Sequence, residues 1–399
     1  MSKRIWGLDG LRATAFLAVL GYHYLPGLLP GGFLGVNVFF VLSGYLMALT
    51  SLRDFERDAF HPGRFYLRRA RRIYPTLIFT LGGWICLTRL IEPSLLGLKQ
   101  GEVFSILLGY DNLWQLGENV SYFDRAGGPS PFTHTWSLAI EMQFYLVWPL
   151  LFALYVRARG KGRSGLLLPG ALALASLIVM ELGYVPESDP SSIYYGSHTR
   201  VWALLLGAML GLAQGGQRQR FSGGGLPGLL LILGFGALFF TVSGTEELTY
   251  RLYLPLSALL TLGLLWLLGC CPILGMALDY GPLGWLGKRS YELYLCHYPA
   301  YYLVSRLTPG RMGGAQLALA LGLSLLWAAW LYRASQALTA LERRESYEKR
   351  PVPPGRHHQP DPRYTYRGRR RSCPAHLAGN RPGSGRASSA GVGGQRRCP

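Results

Sequence analysis

Charge is scarce in this 399-residue chain. Only 15% of its residues are Asp, Glu, Lys or Arg, against about a quarter in a typical soluble domain. With half of the residues hydrophobic, that shortage excludes an ordinary soluble fold. The six cysteines, Cys86, Cys270, Cys271, Cys296, Cys373 and Cys398, include no pair at CxxC or zinc-ligand spacing, so no disulfide framework is legible and no metal is expected. Acidic residues number 21 against 40 basic ones, but a nucleic-acid partner would need basic and aromatic residues on an exposed domain. Here the basic residues sit between apolar runs and in a tail, so none is expected. Internal repeats are missing as well, and with them the inverted-repeat pattern of many secondary transporters. Lys3 and Arg4 precede an apolar run as in a signal peptide. Asp9 and Arg12 interrupt that run and no small-residue cleavage pattern follows, so it reads as a retained span.

What the chain has is a succession of apolar stretches long enough to cross a bilayer as helices, about 17–25 residues each. They lie near 5–25, 31–52, 73–91, 134–156, 165–183, 199–214, 226–243, 252–271, 284–305 and 313–333. The expected fold is all-α: a polytopic integral membrane protein of about ten transmembrane helices. Loop charge orients it. Lys3/Arg4, Arg64 to Arg72, Arg157 to Arg163, Arg218/Arg220 and Arg343/Arg344 fall on one side. Glu118, Asp124, Glu187, Asp189, Glu246 and Glu247 fall on the other. Both termini are then cytoplasmic. The piece 102–110 is too short to cross and reads as interfacial or re-entrant, followed by an external loop, 111–133. Residues 1–340 form the membrane domain. Residues 341–399 are a basic tail rich in Pro, Gly and Arg that cannot bury enough surface to fold, with a shifted reading frame as the alternative origin of so abrupt a change.

Ionisable residues inside spans are costly and mark function by default. Arg12 and His23 are eleven residues apart, about three turns and roughly 16 Å along one face of the first span, and Asp9 falls on the same side. Glu141 lies in the fourth span and His297 in the ninth, at depths broadly like that of His23. A histidine with a carboxylate makes a competent general base, while separate satisfaction of each group by neighbouring helices explains the same residues. Arg12 is the natural partner for Glu141 if their helices touch. Ser290, Tyr294 and His297 follow i, i+4, i+7 and could line a pocket or simply bond between helices. The run RFYLRRARRIYP holds Arg64, Arg68, Arg69, Arg71 and Arg72. It suits bidentate phosphate recognition, and serves equally as a topology signal. Asn37 and Ser43 lie in a glycine-rich segment read as packing.

Taken together, LDGLRA, the Arg12/His23 pair, GGFLGVNVFFVLSGYLM, FYLRRARRIYP, HTWSLAIEMQFYLVWPL and SYELYLCHYP resemble, in order and across roughly residues 5–335, the membrane acyltransferase-3 family of bacterial integral-membrane O-acyltransferases. The resemblance implies transfer of an acyl group, usually acetyl, from cytoplasmic acyl-CoA (acetyl-CoA) to a hydroxyl of an extracytoplasmic glycan, at the bacterial cytoplasmic (inner) membrane. It implies His23 as catalytic base, Arg12 and Glu141 as its catalytic companions, and Arg68, Arg69 and Arg72 as ligands of the CoA phosphates. Asp9, Ser290, Tyr294 and His297 are candidate pocket residues, the last three also candidates for holding the oxyanion. The partners are the bilayer, acyl-CoA and a glycan. Some family members carry an esterase-like domain after the spans; no GDS-type nucleophile motif occurs here. Competing readings are an acyltransferase for a small glycosylated metabolite, a transporter of acyl donor or lipid-linked glycan, and an inactive scaffold.

Overall fold

The computed structural model describes residues 5–123, 130–162, 164–215, 225–308, 310 and 312–348, with the backbone alone from 338 onward. The tail beyond 348 and the loop charges Lys3, Arg4, Asp124, Arg163, Arg218 and Arg220 lie outside the described residues, as do Cys373 and Cys398. Among the described residues every regular element is helical. In chain order these are α1 (Leu8–Tyr24), α2 (Leu34–Phe55), α3 (Pro62–Ile91), α4 (Gln100–Leu108), α5 (Asp111–Gly117), α6 (Trp136–Gly160), α7 (Leu167–Leu182) and α8 (Ser191–Tyr195). They continue with α9 (Ser197–Gln214), α10 (Gly225–Thr241), α11 (Leu254–Cys270), α12 (Pro272–Leu278), α13 (Gly281–Lys288), α14 (Ser290–Leu307) and α15 (Gly314–Glu348).

A helix stands at each of the ten expected spans. Five helical stretches, built on α2, α3, α6, α11 and α15, are long and apolar enough to cross a membrane by length and composition, and α7 and α10 are shorter apolar helices. The chain is a multi-pass membrane protein. One boundary differs from the sequence reading. The basic run expected ahead of the third span is itself helical, because α3 begins at Pro62, where His61 caps it by accepting the Gly63 amide at 3.2 Å, and runs unbroken through Pro75. The arginines are therefore on the first turns of a rigid rod and not in a loop.

α2 is the hub. Phe40, Val41, Tyr45, Met47 and Ala48 are buried along it, and α9 packs against it at backbone distance. A Cβ on Gly44 would sit 1.9 Å from the Leu204 carbonyl oxygen, and one on Gly207 would sit 1.9 Å from that of Val41. Small residues at such crossings let backbones meet where lipid supplies no hydrophobic drive. Gly207→Val forces the helices apart and costs about 3 kcal/mol or more, so little monodisperse protein is expected by fluorescence-detected size exclusion. Gly236→Ala, with open space at its Cβ position, leaves the peak unchanged. Polar ties complete the frame: Trp148 donates to Ser51 at 2.9 Å, and Asn37 donates to the Leu254 carbonyl and to Ser257 at 3.0 and 2.8 Å. Asn37 is thus spent on packing, as the sequence reading had it.

Candidate active site

Two polar clusters occupy the inside of the bundle, with one tyrosine between them. The first is a narrow cavity of about 80 Å³ whose polar wall includes Arg12, Arg69, Arg72, Ser137, Glu141 and Tyr294. α3 delivers Arg69 and Arg72 to it, three residues apart and so on one face. The Arg69 guanidinium lies 4.9 Å from the centre of the Tyr145 ring and 5.4 Å from that of Phe65, within cation–π range of both. Arg68 turns away and pairs with Asp54. Arg12 lines the cavity from α1, with Asp9 3.4 Å away one turn earlier on the same helix. Glu141 lines it from α6 and accepts hydrogen bonds from Ser43, at 2.6 Å, and from Tyr145. Arg12 and Glu141 therefore face one cavity. Ser290 and Tyr291 of α14 close the wall.

The second cluster is a set of three histidines. His23 of α1 and His297 of α14 meet directly, Nδ1 to Nε2 at 3.2 Å. His297 is fully buried; its Nδ1 lies 2.6 Å from the Tyr294 carbonyl oxygen. His134, in the turn that starts α6, packs edge-on against His297 with ring centres 5.2 Å apart. Tyr298 packs edge-on against His23 and tilted against His134, with ring centres 5.0 and 5.4 Å apart. Sequence depth brought His23, His297 and Glu141 to one level. In the fold the two histidines join, while Glu141 binds Ser43 and Tyr145 in the neighbouring cavity.

Tyr294 is the partition. Its ring packs against His297 and His134, at 5.5 and 5.4 Å, and it also lines the arginine cavity. Its hydroxyl donates to the His134 carbonyl at 2.8 Å and accepts from Ser137 at 2.7 Å. Of the three residues expected to serve an oxyanion, Tyr294 and His297 thus have their protons committed to backbone carbonyls, and Ser290 stands at the opposite end of the cavity wall from the histidines.

His134 was met in the sequence only as the start of a span. Its placement depends on residues outside the spans. Thr135 donates to Asp111 at 2.8 Å, and Ser105 and Gln115 add hydrogen bonds to the same carboxylate. Asp111 is fully buried beside the buried Glu102, on the short helices α5 and α4. Burial pushes both carboxyls up, each to about 7. Both are then protonated in the fold where the unfolded chain has already lost the proton, so they stabilise the fold below about pH 4. That contribution is lost as pH rises through about 7. Thermal midpoints of the detergent-solubilised protein should fall from pH 5 to pH 8, and Asp111→Asn should flatten that slope.

A helical membrane bundle that lines one cavity with arginines and sets imidazoles on the other side of a single tyrosine has the parts of a membrane enzyme for an anionic ligand: cations to hold it and a nitrogen base beside it. The chain belongs to the membrane acyltransferase-3 family; the family model described as "Acyltransferase domain" matches residues 5–333. It is similar to the "Putative peptidoglycan O-acetyltransferase YrhL" of Bacillus subtilis, 38% identical over 318 residues that make up 75% of this chain and 49% of that protein. It is also 34% identical to the "Peptidoglycan O-acetyltransferase OatA" of Listeria monocytogenes over 317 residues (76% and 50% of the two chains), and 31% identical to the "O-acetyltransferase OatA" of Staphylococcus aureus over 308 residues (75% and 51%). The chain spans about half the length of these relatives. No solved structure matches it. Among the described residues no group of three or more His, Cys, Asp or Glu side chains is placed to hold a metal ion.

Proposed function

We propose that the protein is an integral-membrane O-acetyltransferase of the bacterial cytoplasmic membrane, moving acetyl from acyl-CoA to a hydroxyl of a cell-wall glycan with His23 as general base. The observation that carries this reading is the arginine-lined cavity abutting the histidine cluster through Tyr294. Arg69 and Arg72 suit the phosphates of the donor, since guanidinium forks match phosphate oxygens. The narrow cavity suits an extended chain such as a pantetheine arm, whose thioester would arrive at Tyr294. For the thioester to meet His23, the Tyr294 ring must turn aside, breaking its bonds to Ser137 and His134. His23 would then take the proton of the attacking hydroxyl and return it to the departing sulfur. The names of the relatives support a peptidoglycan acceptor.

The test is transfer of label from isotopic acetyl-CoA into envelope glycans by membranes holding equal amounts of wild type or His23→Ala. Label in a glycan fraction with wild type alone supports the reading and identifies the acceptor. No label from acetyl-CoA with folded wild-type protein, across peptidoglycan and other envelope glycans, contradicts it.

A further inference from the structure

We propose that His297 is the positioning residue for His23, holding it as the Nδ1–H tautomer so that Nε2 is the bare nitrogen that acts as base. The proposal deepens the reading of His23 as the base and rests on it for its catalytic meaning. A neutral imidazole carries one N–H and one lone pair. The Tyr294 carbonyl oxygen, 2.6 Å from His297 Nδ1, can only accept, so the His297 hydrogen is on Nδ1 and its Nε2 offers a lone pair. The contact of that Nε2 with His23 Nδ1, at 3.2 Å, then needs its hydrogen from His23. The Tyr294 carbonyl thus acts, two links away, on which nitrogen of His23 is free, and the Val19 carbonyl one turn back on α1 is a second acceptor beside the His23 ring.

The surroundings keep this order. His297 is fully buried, and Phe16 of α1 packs edge-on against its ring at 5.8 Å. Tyr24 of α1 donates to the His297 carbonyl at 2.9 Å, tying the two helices where the rings meet. His134 meets His297 edge-on, ring centres 5.2 Å apart, with no hydrogen bond between the two side chains, so it does not draw a hydrogen from the pair. Among the described residues no carboxylate accepts a hydrogen bond from His23 or His297. A neutral imidazole therefore stands where a Ser-His-Asp triad has its aspartate.

In the reaction the acceptor O–H proton passes to His23 Nε2 as its oxygen attacks the thioester carbon. The Nδ1–H stays bonded to the His297 lone pair throughout. As the C–S bond breaks, the proton on Nε2 goes to sulfur, which leaves as the thiol. One ester and one thiol form from one hydroxyl and one thioester, with His23 and His297 back as they began. With no buried carboxylate to hold the imidazolium, His23 is set to pass its proton on.

The first arm of the test needs no activity. The full chain, with ¹⁵N-labelled histidine and reconstituted in bilayers, is studied by solid-state NMR, with His23→Ala and His297→Gln assigning the signals. Expected is a protonated Nδ1 and bare Nε2 for both rings; a protonated His23 Nε2 overturns the proposal. The second arm is kinetic. His297→Leu removes the acceptor and is expected to lower kcat about 10²–10³-fold, short of the roughly 10⁴-fold seen for a triad histidine in its wrong tautomer, with donor KM within about threefold. His297→Gln restores the order, amide N–H toward the Tyr294 carbonyl and amide oxygen toward His23, and returns kcat to within about tenfold of wild type. Equal impairment of the two at equal membrane abundance overturns the proposal. Full turnover by His23→Ala with the expected tautomer would sink the base assignment and leave the tautomer standing.

Discussion

Replacing both cavity arginines, Arg69→Gln with Arg72→Gln, is expected to raise KM for the acyl-CoA donor about 10²–10³-fold. The turnover at saturating donor should stay within a few fold. Each hydrogen bond from a cation to a charged oxygen contributes about 1.5–3 kcal/mol, and two of them amount to two decades or more at about 1.4 kcal/mol per decade. The side chains line the cavity wall on the other side of Tyr294 from the imidazoles, so the loss belongs in binding. Arg69→Lys alone should cost about tenfold in KM, because an ammonium lacks the planar fork that meets two phosphate oxygens at once and packs less well over the Tyr145 and Phe65 rings. Arg68→Gln should stay within about twofold, since Arg68 is engaged with Asp54 outside the cavity. Initial rates against donor concentration, read as label in glycan, check all three variants.

His23→Ala is expected to act on the other parameter. Loss of a general base lowers turnover about 10²–10⁴-fold while leaving donor KM within about threefold, because the imidazole lies beyond Tyr294 from the arginine cavity. His23→Gln should recover nothing: its amide can occupy the place of the ring and hydrogen-bond His297, but it cannot take a proton. The pair of results is diagnostic. Arginine variants that moved kcat alone, or a His23 variant that moved KM alone, would reverse the roles assigned to the two clusters.

The helices were legible because apolar length is a local property. Nine of the ten runs each hold one helix where it was expected, the ninth, near 284–305, being divided at Arg289 between α13 and α14, and the eleven-residue spacing of Arg12 and His23 put both on the inner side of α1. Contacts between helices were not legible. Glu141 suited either histidine or arginine by depth alone, and only the packing of α6 beside α2 shows that Ser43 and Tyr145 take its hydrogen bonds. His134 looked like a span boundary because nothing near it in sequence reveals that Asp111, 24 residues back, fixes the adjoining Thr135. Arg200 passed unnoticed in an apolar run. It is fully buried, with its guanidinium 4.6 Å from the centre of the Tyr194 ring and 3.5 Å from Asn37, a tie between α9 and α2 that no linear pattern contains. The basic run was left outside a helix in the sequence reading, because Pro75 and five arginines obscured a helix that His61 caps.

The central claim is that the donor binds at the arginine end of the bundle and the acyl group is delivered at the histidine end. Sealed proteoliposomes of uniform orientation test it most directly, with labelled acetyl-CoA on the side of the α3 arginines and peptidoglycan fragments enclosed on the other. The account predicts labelled ester on the enclosed fragments with wild type, and a loss of about 10²-fold or more with His23→Ala. Label confined to fragments on the donor's own side, or equal label with His23→Ala, would contradict it.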